Sequence, residues 1–195
     1  MSGLIGTAIS RQDGPAKVTG HARYAADTPV ADIVYAVFVP ATIARGRVVS
    51  IDTTLAESVP GVLRVFVHGQ LPIGAAPSPP LGQAVIPLQD DRVAYEGQPI
   101  ALVVADTLEQ AQHAASLVHT NVASEPANVD FTTVLDTAMI GTSFAPSDEH
   151  VGDADAALSR SDLRLDAEYY TADRHHVAME PSATVVEWRG DDVFI

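Results

Sequence analysis

The stretch that most constrains this chain is Gln98-Pro-Ile-Ala-Leu-Val-Val-Ala105, an apolar run that gives way at once to Asp106-Thr-Leu-Glu109. A run this short, bounded by Pro99 and Asp106, predicts a fully buried strand. Asp106 and Glu109 stand at capping-box spacing, which predicts a helix starting with the Asp106 carboxylate on its first free amides. Behind that cap, Leu108, Ala111, Ala115 and Val118 recur at helical spacing, while Glu109, Gln112, Ser116 and His119 fall on other faces. A strand that runs into a capped helix without a long loop must pack the helix back on its own sheet. The segment from Val93 to Val118 is therefore the unit around which the rest must fold, although it carries no obvious chemistry.

Upstream, residues 11–27 are turn-rich, punctuated by Gly14-Pro15 and Gly20, and Arg23-Tyr24 starts a short strand. Ile33 to Pro40, rich in β-branched and aromatic residues, is the strongest strand signal in the chain. Arg47 to Asp52 and Val62 to Val67 predict two further strands. Between them Thr54-Leu-Ala-Glu57 repeats the capping-box spacing, for a short helix that Pro60-Gly61 ends. From Gly69 to Gln89 prolines and glycines dominate, the mark of a long surface loop. After the central unit, Val118 to Val122 continues as a strand, Glu125 to His150 reads as linker, and Asp153 to Ser159 as a short helix.

The absence of cysteine excludes disulfides, Cys-ligated zinc and cysteine-held iron–sulfur clusters. With 25 acidic against 11 basic residues the formal charge is −14, and no basic patch offsets it, so nucleic acid is not expected as a partner. The first residues lack the basic n-region of a secretory signal. No apolar run approaches the ~20 residues of a membrane helix. The chain reads as cytoplasmic, with no membrane partner.

Beyond residue 160 the pattern changes. Leu163, Leu165, Ala167 and Tyr169 alternate with polar neighbours, the period of a half-buried strand. Ala183 to Trp188 predicts another strand, and Gly190-Asp191-Asp192 a hairpin turn into Val193-Phe194-Ile195. A chain that stops inside a hairpin reads as a fragment, with a second domain begun at 160. Strands Leu163–Tyr169 and Ala183–Trp188 are expected to pair, and their open apolar face predicts self-association, a homodimer.

Taken in order, these residues resemble the molybdenum-binding subunit of the xanthine dehydrogenase/aldehyde oxidase family, the molybdenum hydroxylases. Arg11-x-Asp13-Gly14 leads to Lys17-Val-Thr-Gly20 and Ala22-Arg-Tyr24; Arg47 to Asp52 precedes Val59-Pro-Gly-Val62. Asp91-Arg-Val-Ala-Tyr-Glu-Gly-Gln-Pro99 precedes Val103-Val-Ala105, and His176-x-x-Met-Glu-Pro181 follows Gly152-Asp153. Each motif is weak alone; their shared order over nearly the whole chain is not. The resemblance implies an α+β fold: an N-terminal arm (1–14), an α/β hammerhead domain (15–127), a linker (128–159) and the first strands of a truncated molybdopterin-binding domain (160–195). It also implies an oxidoreductase that hydroxylates aldehydes or N-heterocycles with water-derived oxygen. Its cofactor is a molybdopterin-type molybdenum group, and its electrons pass to iron–sulfur and FAD subunits or domains. The catalytic residues and the glycine-rich cofactor loops lie beyond residue 195 in that family. The resemblance therefore assigns no catalytic residue and no cofactor to the fragment itself, and predicts it inactive, with the remainder of the molybdopterin-binding domain as its partner. The alternative is a stand-alone hammerhead-like docking module.

The densest polar cluster is Asp173-Arg-His-His-Val-Ala-Met-Glu-Pro181. Adjacent His175 and His176 on extended chain point opposite ways and do not converge on one ion, so no metal site is assigned. The resemblance places this turn near the cofactor, with Arg174, His176 and Glu180 as its candidate cofactor-binding residues. Arg174 stands where xanthine- and aldehyde-oxidising members often carry a glutamine, and a fixed cation with five donors does not replace an amide. Glu180 is a candidate strand-end anchor. Lys17, Arg23 and Tyr24 read as solvated or domain-docking residues. Asp148, Glu149, Asp153 and Asp155 lack the spacing and glycine of an EF-hand.

Overall fold

The computed structural model describes residues 6–72, 86–138, 151–172, 174–175, 177–178 and 180–195. In chain order its elements are α1 (Gly14–Val18), a 3-10 turn (Ala25–Asp27), β1 (Tyr35–Pro40), β2 (Gly46–Asp52), α2 (Thr54–Glu57) and β3 (Val62–Val67). They continue with β4 (Arg92–Val93), β5 (Pro99–Ala105), α3 (Leu108–Ser116), β6 (His119–Ser124), a second 3-10 stretch (Phe131–Thr137), α4 (Ala154–Ser159), β7 (Glu187–Arg189) and β8 (Asp192–Phe194). The chain divides into two compact units, residues 33–165 and residues 1–32 with 166–195.

The unit of residues 33–165 is built on two antiparallel three-stranded sheets. The apolar run forms β5, the middle strand of β1-β5-β3, with Val37, Val103 and Val65 in register across it. The second sheet runs β4-β2-β6. Helix α3 folds back on β1 and β5, as its position directly after β5 requires. Ala101, Ala105, Ala111 and Ala114 are fully buried, and alanine at these places lets helix and sheet approach closely. Val103, also inaccessible, joins Val39, Val65, Val48 and Val93 in one core drawn from both sheets. Burying each such valine stabilises the fold by ~1.5–2 kcal/mol.

Three local details depart from the sequence reading. Strand β5 is not buried on both faces: Leu102 and Val104 are half-buried, beside half-buried Phe66 and exposed Phe38. Helix α3 covers one face of the sheet only. The cap of α3 is Thr107, not Asp106. The Thr107 hydroxyl accepts from Gln110 N at 3.2 Å, and Gln110 Oε1 accepts from Thr107 N at 3.1 Å. Asp106 instead donates its amide to Gly61 O at 2.9 Å, which holds it in the extended segment. The short helix α2 forms without the expected box: Asp52 Oδ1 accepts from Thr54 N, and Thr53 donates its hydroxyl to Glu57. The Asp52 carboxyl is held below its usual range, first by the Thr54 side chain.

Two glycines are fixed by close approach. A Cβ on Gly46 would fall 2.0 Å from Ala123 O across the β2–β6 ladder, and one on Gly61 2.4 Å from the Gln110 side-chain amide. Both also have positive φ.

The segment expected as linker carries the 3-10 stretch Phe131–Thr137, started by Asp130, whose Oδ1 accepts from Thr132 N. Its downstream helix is α4, capped by Asp153 on Ala156 N at 2.8 Å. Residues 73–85 of the expected proline-rich loop and 139–150 of the linker lie outside the described residues.

The largest correction falls on residues 162–170. The expected strand is absent there, and Leu163, Leu165, Tyr169 and Tyr170 are exposed. An alternating pattern makes a strand only where a neighbour supplies the ladder, and none of the described strands pairs with it. The expected ribbon between Leu163–Tyr169 and Ala183–Trp188 is therefore not formed. What remains of it is the hairpin β7–β8, in which Arg189 and Asp192 close a two-residue turn at Gly190-Asp191. Arg23-Tyr24 likewise forms no strand and leads into the 3-10 turn.

Candidate functional site

The unit of residues 1–32 and 166–195 contains the polar turn. Its N-terminal part is organised by Asp13, which pairs with Arg11 and, at 2.7 Å, with Lys17 one turn along α1. Hydrogen bonds from Lys17 and then Arg11 hold the Asp13 carboxyl down at about 2. Lys17, Arg23 and Tyr24 are all exposed. The chain then tightens into the turn Ala25–Asp27, where Asp27 Oδ2 accepts from Tyr24 N at 3.0 Å.

Of the residues singled out in the polar turn, Arg174, His175 and Glu180 are exposed, and His176 lies outside the described residues. Arg174 and His175 have no partner among the described residues. Glu180 does: its Oε1 accepts from Ala25 N at 3.2 Å, tying the turn to a segment 155 residues away. Val177, within the turn, has positive φ, uncommon for a β-branched residue. An open apolar groove of about 430 Å³ lies alongside, between Ala25, Thr28 and Val30 on one side and Ala183, Val185 and Phe194 on the other. Arg189 stacks over the Phe194 ring, 4.5 Å from its centroid, while Glu187 binds the same guanidinium at 2.7 Å.

This geometry presents no convergent donor set. No three His, Asp or Glu side chains among the described residues approach one another closely enough to share a metal ion. The described part of the turn is open, and its one engaged carboxylate is occupied by a backbone amide.

Residues 19–126 match the family model described as aldehyde oxidase and xanthine dehydrogenase, a/b hammerhead domain. The chain belongs to that family. The hammerhead region thus contains both three-stranded sheets and α3. The chain is 36% identical over 192 residues to the aldehyde oxidoreductase molybdenum-binding subunit PaoC of Escherichia coli O157:H7, covering 96% of this chain and 25% of that subunit. It is 30% identical over 190 residues to aldehyde oxidase 1 of Bos taurus, covering 96% of this chain and 14% of the relative. Among solved structures, quinoline 2-oxidoreductase from Pseudomonas putida 86 superposes with a TM-score of 0.53 at 25% identity, over 70% of this chain and 18% of that one. The chain thus spans about a quarter or less of the length of these relatives.

Two features of this hammerhead family member escaped sequence reasoning. The Ala25–Glu180 tie bridges too great a separation for any local pattern to reveal. The burial of Gln98 had one faint signal, a polar residue at the head of an apolar run.

Proposed function

We propose that this chain is the N-terminal part of the molybdenum-binding subunit of an oxidoreductase that hydroxylates aldehydes or N-heterocycles with water-derived oxygen. The 36% identity to a molybdenum-binding aldehyde oxidoreductase subunit, over nearly the whole of this chain and a quarter of that subunit, carries the reading. In it, residues 15–127 form a packing and docking module, and 160–195 open the cofactor-binding domain. Arg174, His176 and Glu180, on the turn that lies near the molybdopterin group in the family, are its candidate cofactor-binding residues. The chemistry belongs to the rest of the subunit, and iron–sulfur and FAD subunits or domains take the electrons. Among the described residues no helix is long and apolar enough to cross a membrane.

The test compares two proteins by elemental analysis: the 195-residue chain, and the product of the reading frame continued past codon 195. The expected result is molybdenum in the longer protein and none in the shorter. Stoichiometric molybdenum in the 195-residue chain refutes the division of labour. A stop codon directly after residue 195 refutes the enzyme and leaves a docking module.

A further inference from the structure

We infer that Glu180 is a positioning residue that latches the Ala25–Asp27 turn onto the polar turn, so that the start of the hammerhead region serves as a strap on residues 166–195. Four observations converge on it. Residues 1–32 cluster with 166–195 and not with the sheets that follow them directly in sequence. The Glu180 carboxylate accepts the Ala25 amide, the first amide of the Ala25–Asp27 turn. Tyr24 and Asp27 close that turn from its other end through Asp27 Oδ2 on Tyr24 N and Asp27 N on Tyr24 O at 2.9 Å. Thr28 and Val30, just beyond, form one wall of the groove whose other wall is Ala183, Val185 and Phe194. The segment is thus held at one point by a charge-assisted hydrogen bond and alongside it by apolar surface.

A first amide of a helical turn has no partner inside the turn, so it must find a side chain or water. Glu180 supplies that partner from 155 residues away. The functional consequence is mechanical: the latch fixes the end of the turn that carries Arg174 and His175. It does not depend on molybdenum, so it stands or falls separately from the proposed activity.

Hydrogen exchange at Asp27 and Thr28, and trypsin cleavage after Arg23, read the latch in the 195-residue chain. Glu180→Ala is expected to raise both rates about 3- to 10-fold, the effect of one exposed hydrogen bond to a charged acceptor. Exchange in Pro99–Ala105 should not change. Glu180→Gln keeps an oxygen acceptor and should stay within about twofold of the parent. Ala25→Pro removes the donor from the opposite side; Tyr24 is already extended (φ −123°, ψ 172°), as a residue before proline must be. It should loosen the strap as much as Glu180→Ala, and the double variant should be no looser than either. Unchanged rates in Glu180→Ala overturn the latch. So do a Gln variant as loose as the Ala variant, additive effects in the double variant, or loosening that spreads to Pro99–Ala105.

Discussion

Replacing Gln98 by methionine removes the one buried polar side chain among the described residues and tests how the two sheets of the hammerhead are joined. Gln98 is 4% exposed. Its Oε1 accepts from Ala94 N at 2.7 Å and its Nε2 donates to Arg92 O at 2.6 Å. Arg92 belongs to β4 in one sheet, and Gln98 directly precedes β5 in the other. Its main chain completes the joint: Gln98 O accepts from Ala41 N at 2.8 Å just past the end of β1. Methionine matches glutamine in length and leaves no large void, so the packing cost is small. What it leaves is the Ala94 amide and the Arg92 carbonyl without their side-chain partner at the edge of the core, about 1 kcal/mol each. Because water reaches part of that site, the loss is about 1–2 kcal/mol, still a sizeable share of the 5–15 kcal/mol typical of a domain. Urea unfolding followed by far-UV circular dichroism measures it, and a midpoint shift at unchanged slope attributes it to the native state.

Gln98→Glu sharpens the same test. A carboxylate accepts from Ala94 N but presents a second acceptor to Arg92 O, whereas a protonated carboxyl restores both bonds. Burial and the facing carbonyl therefore raise its folded pKa above the ordinary ~4.3 of glutamate. A raised folded pKa means that stability is fully present below the unfolded value and is lost as pH rises through the folded one. The variant should match the parent near pH 4 and fall towards the methionine variant at pH 7. A methionine variant within about 0.5 kcal/mol of the parent, or a glutamate variant insensitive to pH, refutes the bridge.

Gly61→Ala should destabilise the fold by about 2–4 kcal/mol in the same assay, because the residue has φ +88° and its new methyl meets the Gln110 amide inside the α3 cap. Thr107→Ala should cost about 1 kcal/mol and Asp106→Ala less than about 0.5, the reverse of what capping by Asp106 predicts. Asp13, held down from 3.8 to about 2, should titrate near pH 2 by carboxyl NMR, and Lys17→Ala should move it upward more than Arg11→Ala does. With a depressed folded pKa, its support for α1 is present above the ordinary carboxylate range and is lost as pH falls through 2.

The hammerhead was legible because its signals are local and agree with one another. Strand β5, the turn at Asp106-Thr107 and helix α3 follow each other without a loop, so pattern alone set their order and packing. The cap slipped by one residue because Asp106-Thr-Leu-Glu-Gln110 offers two boxes in adjacent frames. The choice between them rests with Gly61 O, 45 positions upstream in sequence, which takes the Asp106 amide. The partners of Gln98 lie only a few residues off; what stayed hidden was its burial where β4 and β5 meet.

Residues 162–195 were less legible for a different reason. Alternation states which side chains would share a face; it does not supply the neighbouring strand. Where the partner lies across a two-residue turn, as for Arg189 and Asp192, the ladder forms and the reading holds. Where no partner is close in sequence, as at Leu163 and Leu165, the same pattern leaves exposed leucines. The polar turn follows that logic. Its motif order was enough to point to the family, but Arg174 and His175 stand open while Glu180 is engaged by a distant amide. A residue's chemistry is set by what surrounds it. For Glu180 that surrounding is the Ala25 turn, which makes anchoring the role its contacts support.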